Sequence, residues 1–71
     1  MNIAKQIQKL EKQFVALYKQ AMHFKLNNEE QQFFDADKQL QLVTEEIASL
    51  TGEQELTIKE KLLEQARLEN N

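Results

Sequence analysis

Residues 5–11 read KQIQKLE, residues 12–18 read KQFVALY and residues 19–25 read KQAMHFK, so one seven-residue unit is written three times in succession. Each unit opens with Lys-Gln, has an apolar residue or Ala in third place, and has Leu or Phe in sixth place. An apolar position that recurs every seven residues is typical of a helix that packs along its length on another helix. The stretch therefore predicts an all-α fold.

The repeat predicts a first helix from about Ile3 to about Lys25. Beyond Phe14 its apolar arc widens, and a broad arc needs more than one neighbour to cover it. We therefore expect the second half of this helix to face two other helices. Its apolar seam, at alternating spacings of four and three, consists of Ile3, Ile7, Leu10, Phe14, Leu17, Ala21 and Phe24, and the residues that widen it are Val15, Tyr18 and Met22.

A second helix is predicted from about Glu29 to about Leu50, after a break at Asn27-Asn28. Asn28 and Gln31 fit a capping box, in which side chains satisfy the free backbone N–H groups of the first helical turn. Gly52 stands where a left-handed residue commonly ends a helix. The seam of this helix repeats the spacing of the first: Phe33, Ala36, Leu40, Val43, Ile47 and Leu50.

A weaker third helix is predicted from about Ile58 to about Leu68, with Thr57 and Glu60 as its capping box. The expected fold is one domain over residues 1–71: two long antiparallel helices that form a hairpin, and a short third helix. Two long helices alone cannot cover the whole apolar arc. We expect a homodimer with a four-helix core, and keep a monomeric three-helix bundle as the alternative. The expected assembly interface consists of Ile7, Leu10, Phe14, Leu17, Phe24, Phe33, Leu40, Val43 and Ile47.

Composition limits the possible functions. The 71 residues include no Cys and one His, which excludes disulfides and sites rich in thiolate or imidazole ligands. The longest apolar run, Phe14 to Tyr18, is far shorter than the ~20 residues that span a bilayer. The first residues lack the apolar core of a secretory signal. We expect a cytoplasmic protein that does not associate with membranes.

No set of residues predicts catalysis. His23 falls on the outer side of the first helix, and Ser49 has no neighbouring base in the pattern to activate it. The carboxylates of the second helix lie off its seam, and the chain has no Glu-x-x-His pair of the kind that holds di-iron centres. We therefore expect a protein that is not an enzyme and has no cofactor or metal.

Charge is distributed unevenly along the chain. Residues 1–26 contain five lysines and one glutamate, whereas residues 27–57 contain one lysine and eight acidic residues. Lys5, Lys12 and Lys19 recur every seven residues and Lys9 flanks them, so their amino groups could follow a phosphate backbone. The row contains no Arg, and the chain is acidic overall with a pI near 5.1.

Glutamines flank the predicted seam where coiled coils usually place charged residues. Neutral amides at that position suit a helix that meets an identical one. The sequence thus predicts a protein–protein interaction module (an adaptor, small chaperone or regulator) that binds itself and another protein. The alternative is an RNA-binding hairpin that uses Lys5, Lys9, Lys12 and Lys19. The flanking glutamines are Gln6, Gln13, Gln20, Gln32 and Gln39.

Overall fold

The computed structural model describes residues 2–69, which form three helices and no β-strand. Helix α1 spans Ile3–Leu26, α2 spans Glu30–Thr51 and α3 spans Glu55–Glu69. The prediction of an all-α fold is confirmed, and the ends of α1 and α2 differ from their predicted positions by at most one residue. Within this part of the chain no helix is both long and apolar enough to cross a membrane.

Local side chains explain where α1 begins. The Asn2 carboxamide oxygen accepts a hydrogen bond from the Lys5 backbone N–H at 3.3 Å, as an N-cap residue does. His23 and Lys25 lie in the last turn, where positive charge interacts favourably with the helix dipole.

The capping box predicted for Asn28 and Gln31 is wrong. Asn28 has φ +57°, a left-handed conformation, whereas an N-cap residue needs extended backbone. It closes α1 instead: the Glu29 N–H donates to Phe24 O at 2.9 Å and the Asn28 N–H donates to Lys25 O at 3.2 Å. This pair of bonds is the Schellman motif. Glu29 precedes α2 without a side-chain capping bond.

Gly52 ends α2 as predicted. Its φ is +76°, and its N–H donates to Ala48 O at 2.8 Å. In the short connection to α3, the Thr51 hydroxyl accepts a hydrogen bond from the Glu53 N–H at 3.2 Å. The Glu53 carboxylate also forms an exposed salt bridge with Lys61 at 3.1 Å, which joins the connection to α3.

Helix α3 begins three residues earlier than predicted, and the capping box of Thr57 and Glu60 is wrong. The Ile58 N–H already donates to Gln54 O at 3.2 Å, so Thr57 lies inside the first turn. Glu55 stands in that turn, where its negative charge suits the positive end of the helix dipole.

One hydrophobic core joins the three helices. At its centre Phe14 has 0% of its surface exposed. Helix α3 packs on both α1 and α2, so the broad arc of α1 has two helical neighbours within one chain, as expected. The buried residues of this cluster are Leu10, Phe14 and Ala21 of α1, Ala36, Leu40, Val43 and Ile47 of α2, and Ile58 and Leu62 of α3. Val15 and Ala66 are also buried.

Sequence reasoning missed one core residue, Thr44, which is 0% exposed. It follows the seam position Val43, but a hydroxyl group is a poor predictor of burial. Its Oγ1 donates to Leu40 O at 2.8 Å, one helical turn earlier. This local bond removes the cost of an unsatisfied buried hydroxyl.

Candidate interaction surfaces

The nine residues predicted as an assembly interface are all at least partly covered within one chain. Leu10, Phe14, Leu40, Val43 and Ile47 are buried in the core. Three more pack against that core as partly buried side chains: Leu17, Phe24 and Phe33. Ile7 is half-buried. Their first role is therefore to hold one chain together, and a contact between chains needs residues that remain exposed.

An open groove of about 400 Å³ runs between α1 and α2. Its floor includes Leu17 and Val43, two of the nine predicted residues. Leu42 stands at its rim with 62% of its surface exposed. Polar amides surround this apolar strip. We call this surface the glutamine groove, and it is lined by Gln13, Ala16, Leu17, Gln20, Gln39, Leu42 and Val43.

The glutamine groove lies between α1 and α2, and no residue of α3 lines it, although Ala16 borders both this groove and an opening beside α3. Val15 of α1 faces α3, because it borders a second opening together with Gln65 and Glu69. Successive residues of an α-helix are rotated by about 100°, so Gln13 and Val15 point about 160° apart. The groove is therefore not covered by the third helix.

The structure brings together glutamines that are distant in the sequence. Gln13 and Gln20 of α1 share the groove with Gln39 of α2, and all three are exposed. Each carboxamide can donate and accept hydrogen bonds. The sequence placed these residues beside the seam, but which of them share one groove depends on how the two helices pack.

The two edges of the groove differ in charge. Lys9 precedes Gln13 by four residues, which puts it one turn away on the outer side of the α1 edge. On α2, Asp35 precedes Gln39 by four residues and Glu46 follows Leu42 by four. All three charged side chains are exposed. Lys38, also exposed, precedes Leu42 by four residues, so the α1 edge is positive and the α2 edge carries charges of both signs.

The predicted nucleic-acid residues Lys5, Lys9, Lys12 and Lys19 are all exposed on α1. We call them the lysine face. At about 100° per residue they fall within an arc of about 80°, so they form one continuous row. Its α3 side is less positive, because Lys12 and Lys19 border the opening that also contains Glu11 and Glu69.

The other polar side chains singled out from the sequence are His23 and Ser49. His23 is exposed, and its Nε2 lies 3.2 Å from the Asn27 side-chain nitrogen. Ser49 is exposed as well. Within residues 2–69 no three His, Asp or Glu side chains are close enough to hold a metal ion. Phe34, which the sequence pattern places off the seam of the second helix, has 58% of its surface exposed, and its ring lies 6.0 Å from that of Phe33.

Comparison of the chain with protein-family models, with curated proteins and with solved structures found no match.

Proposed function

We propose that this protein is a non-enzymatic protein–protein interaction module that self-associates through the glutamine groove. The observation that carries the proposal is the groove itself, an uncovered apolar strip edged by amides between two helices. A helix that docks on another protein typically lays an apolar face into such a groove. A polar rim around an apolar centre is also the usual composition of an interface.

The proposal takes α1 and α2 as an antiparallel hairpin. Two pairs of residues, each bordering one opening, support this direction. Leu17 lies beside Val43 in the groove, and Phe24 lies beside Phe33 near the connection between the helices. Moving forward along α1 therefore corresponds to moving backward along α2. The hairpin offers a docking helix two parallel edges and one floor.

The size of the chain favours association. A core supplied by about 70 residues seldom contributes more than about 3–5 kcal/mol of stability, and many small proteins gain more by oligomerisation. Cysteine is absent, so disulfides cannot stabilise the fold. The partner is a second copy of the chain, and another protein can use the same apolar strip. Such a module would work in the cytoplasm as an adaptor, small chaperone or regulator.

The proposal is tested by the mass of the protein in solution. We expect wild-type protein to have the mass of a dimer in native mass spectrometry and light scattering. Leu42→Lys should shift that mass to a monomer, because it places a charge on the apolar strip. Leu68→Lys is the matched control: Leu68 is 69% exposed on α3, outside the groove.

A wild-type protein that stays monomeric across the micromolar range would contradict self-association. Equal masses for the Leu42→Lys and Leu68→Lys variants would contradict the use of the groove. If native mass spectrometry of protein recovered from its own host shows one copy bound to a different polypeptide, the module is an adaptor or chaperone rather than a homodimer.

A second candidate function is nucleic-acid binding through the lysine face. The observation that favours it is the exposure of Lys5, Lys9, Lys12 and Lys19 in a single row. Such a row can neutralise successive phosphates and release their counterions. The net charge of −3 weakens long-range attraction to a polyanion, which ranks this function second.

A further inference from the structure

We infer that α3 is a hinged cover: it opens from α1 and α2 as a unit, about residues 52–54, while α1 and α2 stay packed on each other. The opening uncovers a buried side of the two long helices that the closed chain keeps from water. It is independent of self-association through the glutamine groove, which α3 does not line.

Helix α3 covers the side of α1 and α2 that carries Val15 and Thr44. Val15 borders an opening together with Gln65 of α3. On α2, Leu42 lines the glutamine groove, and Thr44 points about 160° away from it, because successive residues of a helix rotate by about 100°. Thr44 has no exposed surface. Since α1 packs on the seam of α2 rather than on this side, the cover of Thr44 comes from α3.

Helix α3 is held by few buried side chains. Its buried residues form one row, Ile58, Leu62 and Ala66, and the last of them is small. Leu56 and Leu68, near the two ends of the helix, are exposed. A segment with few buried apolar contacts opens at a lower free energy than the rest of the core. A helix of this length is also marginal in water by itself, so α3 unfolds once it leaves the other helices.

The packing of α1 on α2 extends beyond the part that α3 borders. In the two openings between α1 and α3, the residues of α1 extend from Gln8 to Lys19. Farther along, Phe24 and Phe33 border an opening that is lined by α1, α2 and the connection between them. Ala36, one turn after Phe33, is buried in the seam. The two long helices therefore keep contacts of their own when α3 is open.

Thr44 suits a surface that is covered only part of the time. Its hydroxyl donates to Leu40 O at 2.8 Å, within α2 itself. That hydrogen bond does not involve α3, so it persists when the cover opens. A threonine also exposes less apolar surface to water than a valine of similar shape would, which lowers the cost of opening.

The connection between α2 and α3 has the properties of a hinge. Residues 52–54 belong to neither helix. Hinges are short segments at the ends of elements that absorb changes of φ and ψ. Gly52 has φ +76° and, lacking a Cβ, can adopt many other backbone conformations at little cost.

Amide hydrogen exchange of the full chain, followed by NMR, tests the inference. Each amide reports the free energy of the smallest opening that exposes it. After correction for intrinsic rates, we expect residues 60–67 to exchange at least about tenfold faster than the slowest amides of α1 and α2. Equal protection in all three helices would overturn the inference.

Two substitutions separate this opening from unfolding of the whole chain. Phe33→Leu weakens the packing of α1 on α2, so it should accelerate the slow amides of those helices and leave residues 60–67 unchanged. Leu62→Ala weakens the closed cover and should accelerate residues 60–67 by one common factor. Equal acceleration of all three helices by Phe33→Leu would overturn the inference. Factors graded along α3 in Leu62→Ala would do the same, because they indicate fraying from the end.

An engineered thiol gives an independent readout, because the natural chain has no Cys. Thr44→Cys places a thiol under α3, and Ala36→Cys is the matched control in the seam of α1 and α2; both positions are buried. We expect Thr44→Cys to react with a maleimide at least about tenfold faster than Ala36→Cys. Equal rates would overturn the inference, even where Phe33→Leu fails to fold.

Discussion

Phe14 shows how one position of the repeat becomes the centre of the fold. It occupies the third place of the unit KQFVALY, and its side chain has no exposed surface. The residues before and after it in the same seam, Leu10 and Leu17, pack in the same cluster. A seam residue in the middle of its helix has seam neighbours on both sides along the helix. Buried residues of α3 belong to the same cluster.

Phe14→Glu should unfold the chain. Loss of a buried Phe side chain alone costs about 3–5 kcal/mol, and burial of a carboxylate in its place adds a further desolvation cost. Phe34→Glu is the matched control. It makes the same chemical change at the surface, because Phe34 is 58% exposed. Circular dichroism during thermal unfolding checks both. A Phe14→Glu variant that melts like the wild-type protein would refute the core assignment.

Gly52 and Asn28 are the two left-handed residues within residues 2–69, and each ends a helix. Gly52→Ala should cost about 1–2 kcal/mol, because a left-handed backbone brings the added Cβ close to the carbonyl oxygen. An added Cβ has open space around it, so packing adds nothing to this cost. The expected fall in melting temperature is at least several degrees, on the scale of about 4–8 °C per kcal/mol for a chain of this size.

Asn28→Gly is the companion change, since it relaxes the same backbone conformation rather than straining it. We expect its melting temperature to remain close to that of the wild-type protein. If Gly52→Ala also left the melting temperature unchanged, the left-handed conformation of Gly52 at the end of α2 would be contradicted.

Among the three helices, α3 departs most from its sequence pattern. Its apolar stripe is thin, yet Ile58, Leu62 and Ala66 are all buried. They lie four residues apart, one turn after another, so a single narrow row suffices to cover the side of α1 and α2. This buried row and a salt bridge between Lys61 and Glu53 hold α3 on the other helices. The salt bridge is exposed, so it contributes less stability than the buried row.

Leu62→Ala should therefore lower the free energy of unfolding by about 2–5 kcal/mol, the usual range for a buried Leu. Leu68→Ala on the same helix should change it by less than about 0.5 kcal/mol, because Leu68 is exposed. Urea unfolding followed by circular dichroism measures both. Equal effects of the two substitutions would mean that α3 does not pack on the other helices as described.

Charge is divided between the helices: α1 is basic and α2 is acidic. Exposed ion pairs contribute little to stability, about 0–1 kcal/mol each. Their greater influence is on partner choice and orientation. The basic character of α1 underlies the second candidate function, since the lysine face could follow a row of phosphates.

A triple substitution tests the nucleic-acid alternative. Lys5→Gln, Lys12→Gln and Lys19→Gln together should abolish binding to a single-stranded RNA probe at low salt without changing the melting temperature. If phosphates are contacted, wild-type affinity should also fall steeply with salt concentration, by a logarithmic slope of about 0.7–0.9 per contact.

The control makes the same change of charge elsewhere, with Lys25→Gln, Lys38→Gln and Lys59→Gln. Equal losses of affinity in both triple variants would show that only net charge matters. Wild-type affinity that does not depend on salt would contradict phosphate contacts, and a wild-type protein without affinity for RNA would leave the interaction module as the function.

Much of the fold follows from patterns that need no tertiary information. The heptad of residues 5–25 and the seam from Phe33 to Leu50 predicted two helices. In the structure, the ends of these helices differ from the predicted ends by at most one residue. The periodicity of apolar residues and the preference of Gly for a left-handed backbone are local properties, so they can be read from the sequence alone. The helix ends near Asn28 and Thr57 were harder, because an Asn or Thr side chain can serve either side of a break and the backbone hydrogen bonds decide which.

Local patterns therefore predict the helical class, the two long helices and the apolar side of each. Packing between the helices decides that α3 covers Val15 rather than the glutamines, that Thr44 is buried, and that Gln13, Gln20 and Gln39 share one groove with Leu42. Periodicity indicates which side of a helix is apolar, whereas the neighbour that covers each part of that side depends on contacts between residues far apart in the chain.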